Sequence, residues 1–232
     1  MGQLQREISR CFDNPNARAI NAARLDHLAS LGLDLENKRV LETGAGVGHL
    51  TGFWEERDCE IVGLEGRKTV MRENLRRHPH HEVFVADLTV PDLASRFGRF
   101  DIVFCYGTLY HLDNPEVGLQ NMAEMCQGLL LLETMVWHED DGGIHFGKEA
   151  LDPHQSLHGL GCRPARDWVM AQLRERFEHA YLTRTQPNHP RFPLRWPVGV
   201  QAKPRAVFVA SRAELDLPTL TKRLLKRQEI TP

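Results

Sequence analysis

The sequence predicts an α/β fold, a three-layer sandwich in which a mostly parallel seven-stranded sheet has helices on both faces. Three observations support this prediction. Five apolar runs of strand length alternate with helical patterns between residues 39 and 133, a glycine-rich turn follows the first run, and polar residues end several others. Alternating strands and helices favour parallel strands with right-handed crossovers, whose carboxyl ends form the ligand-binding edge.

The strands and flanking helices follow from the spacing of apolar residues. The last strand follows the sixth without a helix between them, so it must be antiparallel to it. Two helices, at about 1–13 and 17–31, precede the first strand and either close over the ligand or pack against the sheet. A short basic helix is predicted at about 217–228. Strands are predicted at about 39–42, 60–64, 83–86, 100–106, 129–133, 180–185 and 206–210.

Length and composition indicate one domain of ordinary globular character. The chain has 232 residues, with 41% hydrophobic residues, 26% charged residues and a formal net charge of −2. Such a charge gives no global field that would attract nucleic acid or an acidic membrane. The predicted domain comprises N-terminal helices (1–37), the core with the ligand-binding edge (38–135), a cap insertion after strand five (136–164) and the C-terminal part of the core (165–232).

The cysteines and the first residues favour a cytoplasmic protein. The five cysteines are scattered, odd in number and without a C-x-x-C pair, as expected of reduced thiols. The opening residues contain no apolar signal core, and no apolar run approaches the roughly 20 residues of a membrane span.

The most informative stretch is 40–51, where a strand ends in a turn with glycines at alternate positions. Glycine adopts positive φ and has no Cβ to block a ligand, and a helix that starts after such a turn directs N–H groups toward one point. The dinucleotide fingerprint G-x-G-x-x-G would need its third glycine at His49, so the spacing does not match. Glu65 ends the second strand about 20 residues after the turn, where nucleotide-binding α/β units place an acid for ribose hydroxyls.

The E-x-G-x-G-x-G run that begins at Glu42 resembles motif I of the class I S-adenosylmethionine-dependent methyltransferases. The resemblance covers roughly 38–135 and 165–211 and implies a Rossmann-like fold and S-adenosyl-L-methionine as cofactor. It implies that Glu42 and the glycines hold the methionyl part, that Glu65 binds the ribose, and that Tyr106 flanks the cofactor. Asp87 would accept from the adenine amine beside a backbone N–H. The implied cofactor-binding residues are Glu42, Gly44, Gly46, Gly48, Glu65, Asp87, Leu88 and Tyr106.

The segment after strand four, Gly107–Leu112, is similar to the run that lines the methyl-transfer pocket in the same family. His111 and Tyr110 are the candidate catalytic residues. An imidazole has a pKa near neutrality and suits a general base for a hydroxyl or amine acceptor. His111 is equally well explained as a structural ring that hydrogen-bonds beneath the cofactor, so both interpretations stay open.

The cap insertion shows no sustained helix or strand period and is predicted to face the substrate. Trp137, His158 and Arg163 are the candidate substrate contacts, because aromatic rings stack on other rings and exclude water. The cap also carries donor types that suit a metal, but it lacks a tight ligand spacing such as H-E-x-x-H. A polar binding surface is therefore preferred, and no metal is predicted.

Together these features predict a methyltransferase that acts on a small polar molecule or a saccharide by O- or N-methylation. The Tyr-His segment is also similar to a group that modifies the wobble uridine of tRNA, so tRNA remains an alternative, although no basic stripe is visible. A non-catalytic protein that binds S-adenosylmethionine and a nicotinamide-dependent oxidoreductase are further alternatives. Nothing in the sequence indicates an oligomeric state.

Overall fold

A computed structural model describes residues 2–200 and 202–231. Its strands, numbered along the chain, fall into one large sheet and two small ones. They are β1 (Arg39–Thr43), β2 (Glu60–Glu65), β3 (Glu82–Val85), β4 (Phe100–Tyr106), β5 (Cys126–Met135), β6 (Ile144–Lys148), β7 (Leu160–Pro164), β8 (His179–Thr183), β9 (Thr185–Gln186), β10 (Arg205–Ser211), β11 (Leu220–Thr221) and β12 (Glu229–Ile230).

Helices cover both faces of the large sheet, and a short 3₁₀ turn at Leu109–His111 follows β4. Asn14 and Asn114 begin α2 and α6, where each side chain accepts a hydrogen bond from a backbone N–H of the first turn. The helices are α1 (Gln3–Phe12), α2 (Pro15–Ser30), α3 (Gly52–Glu55), α4 (Lys68–Arg77), α5 (Leu93–Phe97), α6 (Pro115–Met125) and α7 (Arg166–Arg176).

The large sheet has the strand order β11-β8-β10-β5-β4-β1-β2-β3. Strands β1 to β5 pair in parallel, whereas β10 lies between β5 and β8 and is antiparallel to both. The predicted α/β fold with an antiparallel last long strand is therefore confirmed. The predicted count of seven strands is wrong by one, because the short β11 adds an eighth strand at the edge beside β8.

The sheet is buried on both faces, which explains the continuous apolar runs in its central strands. Along β4, Val103 and Cys105 pack into one apolar cluster, whereas Ile102 and Phe104 pack into a second cluster on the opposite face. Alternation of this kind places one set against α6 and α7 and the other against Trp54 and α2.

Two other predictions of local structure are wrong. The cap is not irregular throughout, because β6 and β7 form an antiparallel ribbon in which His145 pairs with Arg163. The basic helix at 217–228 does not exist. Instead β11 pairs with β8 and β12 pairs with β9, so the tail provides hydrogen-bond partners for two exposed strand edges.

Among the described residues, no helix combines the length and the apolar character that crossing a membrane requires.

Candidate active site

The carboxyl ends of the parallel strands border a cavity of about 490 Å³. Its floor is the turn that follows β1, together with the ends of β2, β3 and β4. Residues of α1 and α2 line one side, and the cap segment 153–157 and the segment 191–205 line others. The strand order places the ends of β2 and β3 at one end of the cavity, and the end of β5 with the start of β10 at the other.

The glycine turn requires its glycines for two reasons. Gly44, Gly46 and Gly48 all have positive φ, and a Cβ on Gly44 would lie 2.0 Å from the Thr108 hydroxyl oxygen. The N–H groups of Gly44 and Ala45 donate to the Leu64 carbonyl. The turn therefore differs from the sequence expectation, since it offers a bare Cα surface to a ligand rather than a set of free N–H donors.

Two buried acids, Glu42 and Glu65, flank this turn. The Thr51 hydroxyl donates to Glu42 over 2.7 Å, and burial raises the pKa of Glu42 to about 7. Glu65 accepts from the Gly46 N–H (3.0 Å) through one oxygen and from the Arg67 N–H (2.9 Å) through the other. Burial raises the pKa of Glu65 as well. Both acids line the cavity, so the structure brings them together with the turn.

The ends of β3 and β4 complete this half of the cavity. Asp87 follows β3 and lies beside the lining rather than in it, because its carboxylate is engaged by Thr89 and by the His158 ring, whose Nε2 is 2.9 Å away. The lining instead contains the buried side chain of Leu88. Tyr106 is buried at the end of β4, and the described residues provide no hydrogen-bond partner for its hydroxyl.

His111 lies in the opposite half and is paired with an acid from the cap. Its Nδ1 is 2.5 Å from Oε2 of Glu149, which also accepts from the Ser156 N–H (3.1 Å). The other carboxylate oxygen, Oε1, accepts from an Arg163 N–H (3.2 Å). Burial lowers the pKa of His111, and the hydrogen bond with Glu149 partly opposes this shift. The imidazole is therefore neutral at pH 7.

A buried charged cluster adjoins His111. Glu133 has no exposed side-chain area and lies 2.5 Å from an Arg24 nitrogen and 2.9 Å from an Arg205 nitrogen. Arg205 also donates to the Tyr110 hydroxyl over 2.9 Å. Burial lowers the pKa of Arg24, yet a guanidinium remains protonated. The cluster carries two positive charges against one negative charge.

Two of the three predicted substrate contacts do not reach the cavity. Trp137 stacks on His145 with ring centroids 3.8 Å apart, and His158 contacts Asp87. Neither side chain is among the described residues that line the cavity, whereas Arg163 is. Arg163 donates to the Tyr110 carbonyl (3.2 Å) and so joins the cap to the 3₁₀ turn.

The lining includes basic residues that the sequence alone did not identify. Arg24 belongs to α2, and Arg191, Lys203 and Arg205 come from the segment that leads into β10. Glu133, the acid that pairs with Arg24 and Arg205, falls at the end of the fifth predicted strand, but its two partners are remote in sequence and no local pattern indicates them.

The residues present fit the cofactor that the sequence resemblance implies. Alternating glycines leave a bare floor, and Glu65 lies beside it. Tyr106, whose buried hydroxyl has no hydrogen-bond partner among the described residues, lines the same space. Apolar side chains offer a slot for a flat ring at the end of the cavity near β2 and β3. The slot residues are Leu64, Ala86, Leu88 and Leu157.

Comparisons with known proteins agree with this geometry. A methyltransferase domain family matches residues 41–127. The chain is 33% identical over 124 residues to phosphoethanolamine N-methyltransferase 1 of Arabidopsis thaliana, which covers 52% of this chain and 23% of that protein. It is 33% identical over 121 residues to a ubiquinone biosynthesis O-methyltransferase of Alkalilimnicola ehrlichii, covering 50% and 49% of the two chains. The chain thus spans about a quarter and about half of these relatives.

A solved structure extends the comparison to most of the chain. The N-terminal domain of EvdMO1, crystallised in the presence of SAH and D-fucose, superposes with a TM-score of 0.63 at 26% sequence identity, and the match covers 86% of this chain and 84% of that one. The strand order, the glycine turn with its flanking acids and these similarities show that the chain belongs to the class I S-adenosylmethionine-dependent methyltransferase superfamily.

Proposed function

We propose that the protein transfers a methyl group from S-adenosylmethionine to an oxygen or nitrogen of a small polar acceptor that carries a carboxylate or phosphate. The observation that carries this proposal is the cavity itself. One continuous space has the glycine turn and Glu65 at one end and the His111–Glu149 pair beside a basic wall at the other. Cofactor and acceptor can therefore occupy a single pocket.

The cofactor would lie over the glycine turn. Glu42 and the three glycines would support its methionyl part, Glu65 would accept from the ribose hydroxyls, and the apolar slot would hold the adenine. Leu88 would contribute to that slot. Asp87 would accept from the adenine amine only if it exchanged its present contact with His158. Tyr106 would flank the sulfonium from the end of β4.

S-adenosylmethionine supplies, when bound, a methyl group on a positively charged sulfur. The chain has to hold the acceptor atom in line with that methyl, exclude water and remove the acceptor's proton. A neutral imidazole beside a carboxylate suits proton removal, because the carboxylate orients the ring and stabilises the imidazolium that forms. We assign this role to His111, with Glu149 as the orienting acid and Tyr110 as part of the acceptor wall.

Charge supports an anionic acceptor. Six basic side chains line the cavity against two acids, and the sulfonium adds a further positive charge nearby. Glu133 partly compensates Arg24 and Arg205, and Glu149 pairs with Arg163. Arg191 and Lys203 have no ion-pair partner among the described residues, so an anion placed beside them would be favourable. The basic residues are Arg24, Arg67, Arg163, Arg191, Lys203 and Arg205, and the acids are Glu42 and Glu65. A neutral saccharide satisfies this wall less well than a sugar acid or a phosphorylated molecule.

Release of S-adenosylhomocysteine, measured on matched pairs of acceptors, tests the proposal. Each pair contains an acid and its amide or dephosphorylated form, and tRNA is a separate arm. We expect turnover on acidic members, a lower kcat/KM on their neutral partners, and a loss of about 10²–10⁴-fold for His111→Ala with unchanged cofactor binding.

Each other outcome identifies an alternative. Stabilisation by NAD but not by S-adenosylmethionine in a thermal shift assay would favour an oxidoreductase. Cofactor binding without turnover on any acceptor would favour a non-catalytic binding protein, and turnover confined to tRNA would favour the tRNA-modifying class. Equal turnover of His111→Ala and the parent protein would remove His111 from the mechanism.

A further inference from the structure

Three side chains with metal-binding atoms converge outside the cofactor cavity. Glu55 lies at the end of α3, and His80 and His81 lie in the connection between α4 and β3. One Glu55 oxygen is 2.9 Å from Nε2 of His80 and 3.2 Å from Nε2 of His81, and the ligand atoms of all three residues lie within 4.8 Å of one another. Among the described residues, these three form the group of His, Cys, Asp or Glu side chains that lie close enough together to hold a metal ion.

Asn74 fixes the orientation of His81. The Asn74 amide nitrogen donates to the Gly46 carbonyl over 3.0 Å, so its oxygen is the atom that faces Nδ1 of His81 at 2.9 Å. An amide oxygen only accepts, and Nδ1 of His81 must therefore carry the proton. Nε2 of the neutral ring then holds a lone pair.

That lone pair has no hydrogen-bond donor. Nε2 of His81 is buried without a hydrogen-bond partner among the described residues, and it faces an acceptor oxygen of Glu55. Two facing acceptors need a cation or a proton between them.

We propose that Glu55, His80 and His81 bind a divalent transition metal, with zinc as the reference ion. Imidazole and carboxylate donors suit such ions, and three protein ligands with one open position form a common zinc site. Ligand atoms around a tetrahedral zinc at about 2.1 Å lie roughly 3.4 Å apart, close to the separations seen here. Asn74 plays the usual part of the outer group that orients a ligating histidine.

The site has a structural consequence for the glycine turn. A bound ion would join α3 to the connection after α4, and the chain of contacts continues from His81 through Asn74 to the Gly46 carbonyl. A Cβ on Gly48 would lie 3.0 Å from both His78 and His81, so these rings pack directly beneath the turn. The metal would thus stabilise the floor of the cofactor cavity from outside it.

Sequence spacing gave no hint of this site, because Glu55 and His80 are 25 positions apart. The sequence-based prediction of no metal rested on the donor residues of the cap, and Glu55, His80 and His81 lie outside the cap. His145 of the cap pairs with Asp141 at 2.7 Å and stacks on Trp137.

Metal titration of untagged, chelator-treated protein tests the proposal without any activity measurement. Zn²⁺ affinity is measured by competition with an indicator, and Co²⁺ is used as a spectroscopic probe of coordination. We expect one high-affinity ion per chain, a four-coordinate Co²⁺ spectrum and a higher melting temperature with Zn²⁺. His80→Ala and Glu55→Gln, both at solvent-accessible positions, should each weaken Zn²⁺ binding at least about tenfold.

His145→Ala is the matched control, since it removes a partly exposed imidazole that also faces one carboxylate. It should bind Zn²⁺ like the parent protein. Unchanged affinity in His80→Ala and Glu55→Gln, an equal loss in the control, or the absence of saturable binding would each overturn the site. None of these results bears on methyl transfer, which can fail or succeed independently.

Discussion

The His111–Glu149 pair shows how one hydrogen bond can set the state of a candidate base. A carboxylate that accepts from Nδ1–H leaves the lone pair on Nε2, the nitrogen that can then take a proton. Burial lowers the pKa of His111, so the ring is already neutral below pH 7, and Glu149 limits that decrease. The orientation of the His111 ring and its basicity therefore both depend on the hydrogen bond with Glu149.

Glu149→Gln should lower kcat by about 10²-fold or more, because a glutamine amide can donate to Nδ1 and favour the wrong tautomer. Loss of the carboxylate also removes the contribution that raises the pKa of His111, so the acidic limb of the kcat profile should move to lower pH. Steady-state kinetics between pH 5 and 8 measure both effects. Glu139→Gln, at an exposed cap position, is the control, and an unchanged profile in Glu149→Gln would assign the pair a structural role.

Residues close together in sequence could be predicted, and those brought together by the fold could not. Glu42, the glycines and Glu65 follow from spacing along one strand–turn–strand unit. The His111–Glu149 contact spans 38 positions and the Arg205–Tyr110 contact spans 95. Such pairs depend on the cap ribbon and on the position of β10 between β5 and β8, and local sequence shows neither the ribbon nor that position.

At the scale of elements, α1 is attached to the core by a charged contact at its end. Arg77 of α4 donates through two nitrogens to the two oxygens of Asp13, at 2.9 and 3.0 Å, and His49 approaches the same carboxylate at 2.9 Å. Cys11 and Phe12, just before Asp13, line the cofactor cavity. The attachment therefore fixes one wall of the site.

Asp13→Asn should reduce the free energy of unfolding by about 1–2 kcal/mol at pH 7. The hydrogen bonds from Arg77 lower the pKa of Asp13 to about 2, below that of an unfolded chain. This contribution is therefore complete above about pH 4 and is lost as the pH falls toward 2. Urea unfolding between pH 3 and 7 should show the difference from the parent protein shrinking with acidity, whereas Asp26→Asn, an exposed α2 substitution, should give no such trend.

Some predicted elements differ from the structure because local patterns compete with tertiary partners. The tail at 217–228 has basic residues at helical spacing, yet the open edges of β8 and β9 recruit it as short strands. The cap ribbon was missed because β6 is largely exposed and lacks an alternating apolar pattern. The buried strands β4 and β10 were predicted almost to their ends, since burial on both faces gives an unmistakable apolar run.

For the whole molecule, the distribution of charge is a better guide to the acceptor than the net charge. The chain carries a formal charge of −2, yet its cavity is lined by six basic side chains and two acids. Arg191 and Arg205 are joined through their backbones by a 2.8 Å hydrogen bond, so the segment before β10 presents its charges as one wall. An anionic acceptor would experience this wall at close range and through little screening.

Arg191→Gln combined with Lys203→Gln should raise KM for an acidic acceptor at least about tenfold, because charge-assisted hydrogen bonds of about 1.5–3 kcal/mol are lost. KM for a neutral analogue and the affinity for S-adenosylmethionine should change little, since neither substitution touches the glycine turn. Added salt should raise KM for the acid in the parent protein more than in the variant. If KM changed equally for acidic and neutral acceptors, these two residues would shape the pocket without selecting for charge. The acceptor would then have to be sought among neutral molecules.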